Sequence, residues 1–128
     1  MKSKKAIWKK LLEILSRGLS DLESEILVKL HRRMVVGFLD VLILLKLRNN
    51  SLSGYDMISY IHKRFNIPIS SGTVYSCLYH LERDELIKGE LTRRKRVYAL
   101  TEKGKETVKT MLNMKDKILG LVVNLFIG

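Results

Sequence analysis

The stretch from Ser70 to Thr101 constrains the fold more than any other part of the chain. In its first half, apolar residues recur at the i, i+3, i+4 and i+7 spacing of a helix that buries one face. These residues are Val74, Cys77, Leu78 and Leu81. Ser70 or Ser71 is suited to cap the first free N–H groups of this helix. Two short runs follow, residues 86–91 and 97–100, so the stretch predicts a helix followed at once by a two-stranded ribbon.

The face of this helix opposite the apolar stripe is polar, and its N-terminal end carries no carboxylate. Hydroxyl, imidazole and guanidinium groups can hydrogen-bond base edges and phosphates. The candidate DNA-contacting residues of the helix are Ser71, Thr73, Tyr75, Ser76, Tyr79, His80 and Arg83. Because any surface helix has a polar outer face, this pattern alone does not indicate DNA binding.

Four consecutive cations lie at the turn of the predicted ribbon. They are Arg93, Arg94, Lys95 and Arg96. A run of charge is usually a solvated turn, but this one comes a few residues after a helix with an acid-free outer face. Together the two elements are typical of a winged helix on a duplex, with the helix in the major groove and the wing on the backbone.

Several motifs in this region resemble the PadR family of transcriptional regulators. They are Ser-Ser-Gly-Thr-Val-Tyr at 70–75, Leu-x-x-Leu-Glu at 78–82, Leu-Ile at 86–87, Arg-Lys-Arg-Val-Tyr-Ala-Leu-Thr-Glu-Lys-Gly at 94–104 and, upstream, Gly-Tyr-Asp-Met at 54–57. The resemblance extends over roughly residues 35–109. The sequence departs from the family pattern at Ser53, where His is frequent, at Ser76, where Pro is frequent, and at Glu85, where Gly is common.

The resemblance implies a winged helix-turn-helix protein that binds double-stranded DNA and usually represses transcription. It also implies that small aromatic or hydrophobic effectors bind between subunits. In this chain the candidate linings of such an effector site are Trp8 and the methionines of the last helix, Met111 and Met114.

The composition limits the classes of protein that the chain can be. At 128 residues and 46% hydrophobic, it has the length and apolar content for one folded domain. Its 24 Lys and Arg against 13 Asp and Glu give a net charge of +11. This charge indicates an anionic partner, nucleic acid first and an anionic membrane surface second. The single cysteine, Cys77, is expected to be a small buried hydrophobe, and a chain without disulfides fits a reducing cytoplasm.

Two helices are predicted before residue 35. Residues 2–15 place Trp8 and Leu12 on an apolar side opposite four lysines. We interpret this element as a helix that packs against the dimer partner, with a basic amphipathic helix on phosphates or a membrane as the alternative. Ser20 then opens a second helix with a capping-box pattern to Glu23.

Two further helices are predicted between residues 36 and 65. Residues 36–47 are almost wholly apolar and should form the most buried helix of the core. Ser53 is expected to cap the next helix. The residues expected to face inward on that helix are Tyr55, Ile58, Ile61 and Phe65. Near its end, Lys63 and Arg64 suit the negative end of the helix dipole, with phosphate contact as the alternative.

Thr101 is expected to cap a long last helix with two apolar stripes. The first stripe repeats at the spacing of a heptad seam and comprises Met111, Met114, Ile118, Leu121 and Leu125. The second comprises Val108, Leu112, Leu119, Val122 and Phe126. Because two stripes exceed what the core of one chain needs, we predict that this helix forms a dimer interface, together with Trp8 and Leu12.

The sequence therefore predicts a mainly α protein with a small β-wing. A winged helix-turn-helix domain at residues 34–101 follows an N-terminal helical extension at 1–33 and precedes a long C-terminal dimerisation helix at 102–128. The apolar runs at 34–47 and 118–127 fall short of the roughly 20 residues of a membrane span.

The predicted function is sequence-specific regulation of transcription by a cytoplasmic homodimeric repressor on a pseudo-palindromic operator. The alternatives are a sequence-neutral architectural or RNA-binding protein and a protein-interaction or membrane-surface module. The sequence contains no Cys/His cluster at metal spacing, no phosphate-binding loop and no catalytic motif. We therefore expect no metal, no cofactor and no enzymatic activity.

Overall fold

The structure, a computed structural model, describes residues 17–128 together with Lys10, Glu13 and Ile14. From residue 17 on, its helices are α1 (Asp21–Gly37), α2 (Leu39–Leu47), α3 (Gly54–Phe65), α4 (Ser71–Arg83), α5 (Glu102–Asn113) and α6 (Lys115–Asn124). Its strands are β1 (Leu52–Ser53), β2 (Ile87–Thr92) and β3 (Lys95–Leu100). This architecture confirms the mainly α class with a small β-wing. None of the helices described is long and apolar enough to cross a membrane.

The three strands form one antiparallel sheet with β3 in the middle, between β1 and β2. Thr92 pairs with Lys95 at the tip of the β2–β3 hairpin. At the other edge, Ser53 pairs with Val97 and is also the N-cap of α3. The sheet and the start of α3 are therefore fixed to each other through a single residue.

Local capping starts four of the helices where the sequence indicates. Ser20 and Glu23 form the reciprocal capping box of α1. Ser53 and Thr101 each accept a hydrogen bond from the backbone N–H three residues later, which confirms the predicted starts of α3 and α5. Of the two serines considered for α4, Ser70 is the cap.

One hydrophobic core joins α2, α3, α4, α5 and the sheet. Ile43, Ile61 and Val74 are completely buried, and Val108 brings α5 into the same cluster. Helix α2 buries four of its nine residues, in agreement with its predicted place in the core. Helix α4 packs against α2, α3 and β2, so its buried stripe fixes which of its faces is exposed.

The helices at the two ends of the core differ from the prediction in their boundaries. Helix α1 runs through Gly37 and ends at Phe38, a boundary that the sequence left open. The single long helix predicted for residues 102–128 is two helices, because the backbone leaves helical geometry at Met114, with φ −107° and ψ 14°. No residue of α6 is buried.

The inward face of α3 also differs from the prediction at Tyr55, which is 73% exposed. The buried stripe of α3 runs through Met57, Ile61 and Phe65 at a spacing of four residues. Tyr55 lies two residues before Met57, about 200° around the helix, and therefore points to solvent. Ile58 is partly buried, as expected.

Candidate nucleic-acid interface

The N-terminus of α4 is open to solvent and carries no acidic side chain in its first turn. Ser70 Oγ accepts a hydrogen bond from the Thr73 N–H at 3.2 Å and lies 2.7 Å from the Thr73 hydroxyl. The other N–H groups of the first turn have no partner within the helix, and the helix dipole is positive at this end. A phosphate group is the kind of ligand that such a helix end attracts.

The rotation of about 100° per residue divides the seven predicted contact residues of α4 into three groups. They are Ser76, Tyr79 and Arg83 at the centre of the outward face, Thr73 and His80 on one flank, and Ser71 and Tyr75 on the other. All seven side chains are exposed, Tyr79 to 65%. The central group therefore projects farthest from the core.

Tyr75 lies against the first turn of α3. A Cβ atom built on Gly54 would be only 2.4 Å from Cε1 of the Tyr75 ring. The ring occupies the space that a side chain at position 54 would need, so the N-terminal ends of α3 and α4 are in contact here. Tyr75 is predicted on the outer face of α4, whereas no feature of the sequence predicts this contact with Gly54.

The opposite flank of α4 borders a shallow cavity of about 330 Å³ that also contains two carboxylates. Asp40 of α2 and Asp84, the residue after α4, line this cavity with Thr73 and His80. Cys77 lies in its wall, where partial burial first and the Asp40 charge second raise the pKa of the thiol to about 11. The acidic groups make this flank less suited to phosphate than the centre of the face.

The turn of the hairpin consists of two residues, Arg93 and Arg94, rather than the four predicted. Both adopt left-handed backbone conformations, with φ of 47° and 72°. This geometry is typical of a type I′ turn, in which Asn and Gly are the usual residues. The left-handed conformation costs each arginine about 1–2 kcal/mol. Local stability therefore does not explain why arginines occupy this turn. Lys95 begins β3 and is exposed with them.

Arg96 has a different environment from the three cations before it. Its Nη2 donates to Glu82 Oε2 of α4 at 2.7 Å, and the guanidinium lies over the Tyr98 ring. It also covers Gly89, where a Cβ atom would be 2.6 Å from Arg96 Nε. The hydrogen bond and charge of Glu82 raise the pKa of Arg96. These contacts connect the hairpin to the C-terminal half of α4.

The residues predicted for a dimer interface differ in how exposed they are within the chain. Met111 is partly buried against the core, and Ile118 is partly buried on α6. Met114, Leu121 and Leu125 are exposed, Leu121 to 68%. Of the second stripe, Leu119 and Phe126 are exposed, Phe126 to 75%, whereas Val108 is buried and Leu112 and Val122 are partly buried. Trp8 and Leu12 lie outside the described residues.

Helix α1 adds an apolar surface that the sequence analysis did not assign to an interface. Only Val35 of this helix is buried. Its exposed apolar residues are Leu22, Ile26, Leu27, Val28, Met34 and Val36. At about 100° per residue these residues are spread around the helix, so their spacing does not predict a single covered face.

No group of three or more His, Cys, Asp or Glu side chains in the described part of the chain could hold a metal ion. The surface built by α4 and the hairpin is therefore one of hydrogen-bond donors, phenols and cations. Its chemistry is that of binding to an anionic polymer.

Comparisons with known proteins support this assignment. The model of the transcriptional regulator PadR-like family matches residues 41–110, which is more than half of the chain. The matched residues include α4 and the whole hairpin. No curated protein matches the sequence.

Solved structures with the same fold include DNA-binding proteins. A PadR-like transcriptional regulator from Bacillus cereus is 25% identical, with a TM-score of 0.63, over 75% of this chain and 98% of that one. Bacillus subtilis PadR, solved in complex with operator DNA, is 30% identical, with a TM-score of 0.54, over 58% of this chain and 46% of that one. F93 from STIV, a winged-helix DNA-binding protein, is 28% identical, with a TM-score of 0.54, over 66% of this chain and 91% of that one. These likenesses confirm the winged-helix fold.

Proposed function

The chain belongs to the PadR-like family of transcriptional regulators, and we propose that it represses transcription as a homodimer bound to a pseudo-palindromic operator. The family is one of regulators and not of enzymes, which confirms the expectation that the chain is not an enzyme. The observation that carries the proposal is the contact between Arg96 and Glu82, which joins a hairpin tipped by cations to the helix with the acid-free N-terminus. Since its partner is DNA, we place the protein in the cytoplasm.

In this proposal α4 enters the major groove and the hairpin lies on the flanking backbone. Ser76, Tyr79 and Arg83 reach base edges, since they occupy the centre of the outward face. Ser71 and Tyr75 contact nearby phosphates, whereas Thr73 and His80, on the flank that borders Asp40 and Asp84, contact base edges at the side of the groove. Arg93, Arg94 and Lys95 contact the backbone or the minor groove, whereas Arg96 holds the hairpin at the correct distance from α4. The strained Arg93-Arg94 turn supports this role, because strained backbone is retained where function requires it.

The homodimer in this proposal is held by α6 and α1. A second copy would cover the exposed apolar stripes of both helices, and two-fold symmetry would place two α4 helices about one helical turn of DNA apart. Met114 and Leu121 contribute to this interface in the proposal. An effector site between the subunits, lined by Met111 and Met114, belongs to the same prediction.

Tyr79→Ala tests whether α4 reads bases. We expect the variant to bind its operator about 5- to 150-fold more weakly, because a lost base contact costs about 1–3 kcal/mol, and to bind random DNA as the wild type does. Fluorescence anisotropy with labelled duplexes measures both affinities. Equal weakening on both duplexes would show that Tyr79 contacts only phosphates.

Arg94→Ala tests the role of the hairpin tip. We expect weaker binding on every sequence and a slope of log affinity against log salt that is smaller by about one ion. Lys109→Ala is the matched control, because it removes one exposed cation from α5, away from α4 and the hairpin. A slope that changes equally in both variants would assign the salt dependence to the net charge of +11 and not to the hairpin.

A sequence-neutral DNA-binding protein is the second candidate function. The outward face of α4 carries no Asn or Gln, the residues that read adenine with two hydrogen bonds. Such a protein would bind operator and random duplexes alike, with the same steep salt dependence. The anisotropy comparison of the two duplexes therefore separates the two functions.

A further inference from the structure

The outer edge of β2 has no strand beside it among the described residues. Strand β3 lies between β1 and β2, so β2 is paired on one side only. Just before β2, the Thr101 N–H donates to Leu86 O at 3.1 Å, which makes residues 86 and 101 a hydrogen-bonded pair. Such pairs alternate along an antiparallel ladder, so the backbone groups of residues 88, 90 and 92 face β3. Those of residues 87, 89 and 91 face outward.

This open edge carries unpaired backbone groups and an exposed apolar side chain. No hydrogen bond in the part of the chain that the structure describes uses the outward N–H or C=O of Gly89 or Leu91. The Leu91 residue is 76% exposed. An edge strand of this kind is a template for the addition of another strand.

Charged side chains usually protect an edge strand from such pairing, and the charges of β2 are Lys88 and Glu90. Both are exposed, and Lys88 Nζ lies 3.0 Å from Glu90 Oε1. These two charges are complementary to themselves. When the same strand runs in the opposite direction about Gly89, each charge meets its opposite. The charges therefore do not protect the edge from a second copy of this chain in that register.

We propose that the open edge of β2 pairs with the same edge of a second copy, antiparallel and centred on Gly89. Lys88 then lies opposite Glu90 of the second copy, and the two-fold symmetry forms this ion pair twice. Leu91 lies opposite Ile87 of the second copy, and the outward groups of residues 87, 89 and 91 form the new ladder. A pair centred on residue 88 or 90 would instead oppose two lysines or two glutamates, which is unfavourable.

The same register brings unlike charges together on either side of the paired strands. Arg93 and Arg94 follow β2, Asp84 and Glu85 precede it, and all four are exposed. Antiparallel pairing therefore places the hairpin tip of each copy beside the two carboxylates of the other. These contacts offset part of the repulsion between two chains of net charge +11. Arginines engaged in this way are not free for phosphate, so the paired form is free of DNA, a consequence that alone rests on the proposed function.

Two charge reversals test the register. Lys88→Glu opposes two glutamates and Glu90→Lys opposes two lysines, so each variant should pair at least about tenfold more weakly than the wild type. An equimolar mixture of the two variants restores both ion pairs, and its association should return to within about threefold of the wild type. Sedimentation equilibrium of the DNA-free protein measures the association. A salt concentration of about 0.15 M screens the repulsion between whole chains more than it weakens the close ion pairs.

Lys109→Glu and Glu106→Lys are the matched controls, because they make the same changes of charge on α5. Each control, alone or mixed, should associate as the wild type does, and circular dichroism checks that every variant is folded. A mixture as weak as its two components would overturn the proposal. An association of the wild type that does not depend on residue 88 would also overturn it, and would leave a strand of another protein as the occupant of the edge.

A backbone variant separates strand pairing from a contact of charges alone. Proline at the position of Leu91 removes an outward N–H and leaves the ladder between β2 and β3 intact, whereas Leu91→Ala keeps the N–H. We expect Leu91→Pro to pair at least about fivefold more weakly than Leu91→Ala, because two-fold symmetry removes two hydrogen bonds from the contact. Equal association of the two variants would show that the contact does not use the backbone and would overturn the proposal. Every test is made without DNA, so its failure leaves the proposed function of α4 and the hairpin unaffected.

Discussion

The winged-helix domain, from α2 to β3, and the helices on either side of it, α1 and α6, differ in what covers their apolar stripes. Ile43, Ile61 and Val74 of the domain are completely buried within one chain. In contrast, α6 buries no residue and α1 buries one. The core of the domain is therefore closed by its own chain, whereas the outer helices leave large apolar groups exposed.

This difference explains why apolar residues at the same helical spacing are buried in α3 but exposed in α6. In α3 the stripe meets α4 and the sheet of the same chain. In α6 no residue is buried against the described part of the chain. Removing an apolar side chain from the core of the domain should therefore reduce its folding stability. Removing one from α1 or α6 should mainly weaken the association of these helices with a second surface.

The largest expected effect is the difference in the free energy of unfolding between Ile61→Ala and Leu121→Ala. Ile61 is completely buried, so its truncation should lower the free energy of unfolding by about 2–5 kcal/mol. Leu121 is 68% exposed, and its truncation should change the free energy of unfolding of the single chain by less than about 0.5 kcal/mol while weakening dimerisation.

Urea unfolding at several protein concentrations measures the first effect, and sedimentation equilibrium measures the second. The comparison of the two regions would be wrong if Leu121→Ala destabilised the chain as much as Ile61→Ala, without dependence on protein concentration. In that case Leu121 would pack within its own chain.

A second test uses the thiol of Cys77 as a reporter of the closed domain. Because burial raises its pKa from 9.0 to about 11, the thiolate fraction near pH 8 should be roughly a hundredfold smaller than in the unfolded chain. Alkylation by iodoacetamide should be slower by a similar factor, and its rate should keep rising up to about pH 11.

The control is the same reaction in urea, where the rate should level off near pH 9. A native protein whose alkylation rate also levels off near pH 9 would show that Cys77 is open to water. It would then follow that α4 and α2 do not close over the thiol.

A third and smaller effect is expected at two glycines, Gly104 of α5, which packs against the core of the domain, and Gly120 of the outer helix α6. A Cβ atom on Gly104 of α5 would lie 2.0 Å from the Leu86 carbonyl oxygen, so Gly104→Ala forces backbone to move and should cost about 1–3 kcal/mol. A Cβ atom on Gly120 of α6 meets nothing within 4 Å, so Gly120→Ala should stabilise the helix by about 0.4–1 kcal/mol.

Thermal unfolding followed by circular dichroism measures both changes. If Gly120→Ala leaves the helix intact but weakens dimerisation, the dimer interface approaches the α6 backbone at this residue. That result would support the assignment of α6 to an interface rather than to the core of its own chain. If Gly104→Ala is as stable as the wild type, the contact between α5 and the residue before β2 is not tight.

Features that depend on neighbouring residues could be predicted from the sequence. Ser20, Ser53 and Thr101 cap helices because a side-chain oxygen reaches an N–H three residues later, whatever lies around it. The apolar stripe of α4 was predicted for a similar reason, since a helical period selects one face. The resemblance to a known family then connected the helix and the hairpin to one fold.

Features that depend on distant residues could not be predicted in this way. The contact of Arg96 with Glu82 joins residues 14 positions apart, so the four cations looked equivalent although one of them is held by α4. A side chain at Gly104 is excluded by the Leu86 carbonyl oxygen, which is distant in sequence. The break at Met114 has no Gly or Pro to mark it, and the stripes continue across it.

Selection of the best-bound sequences from a pool of random duplexes tests the central claim most directly. The account predicts enrichment of an inverted repeat whose half-sites are centred about 10 base pairs apart. The protein should bind this repeat at least about a thousandfold more tightly than a shuffled duplex of equal composition. A pool that remains without a motif, and that the protein binds as it binds random DNA, would contradict the claim of a sequence-specific dimer.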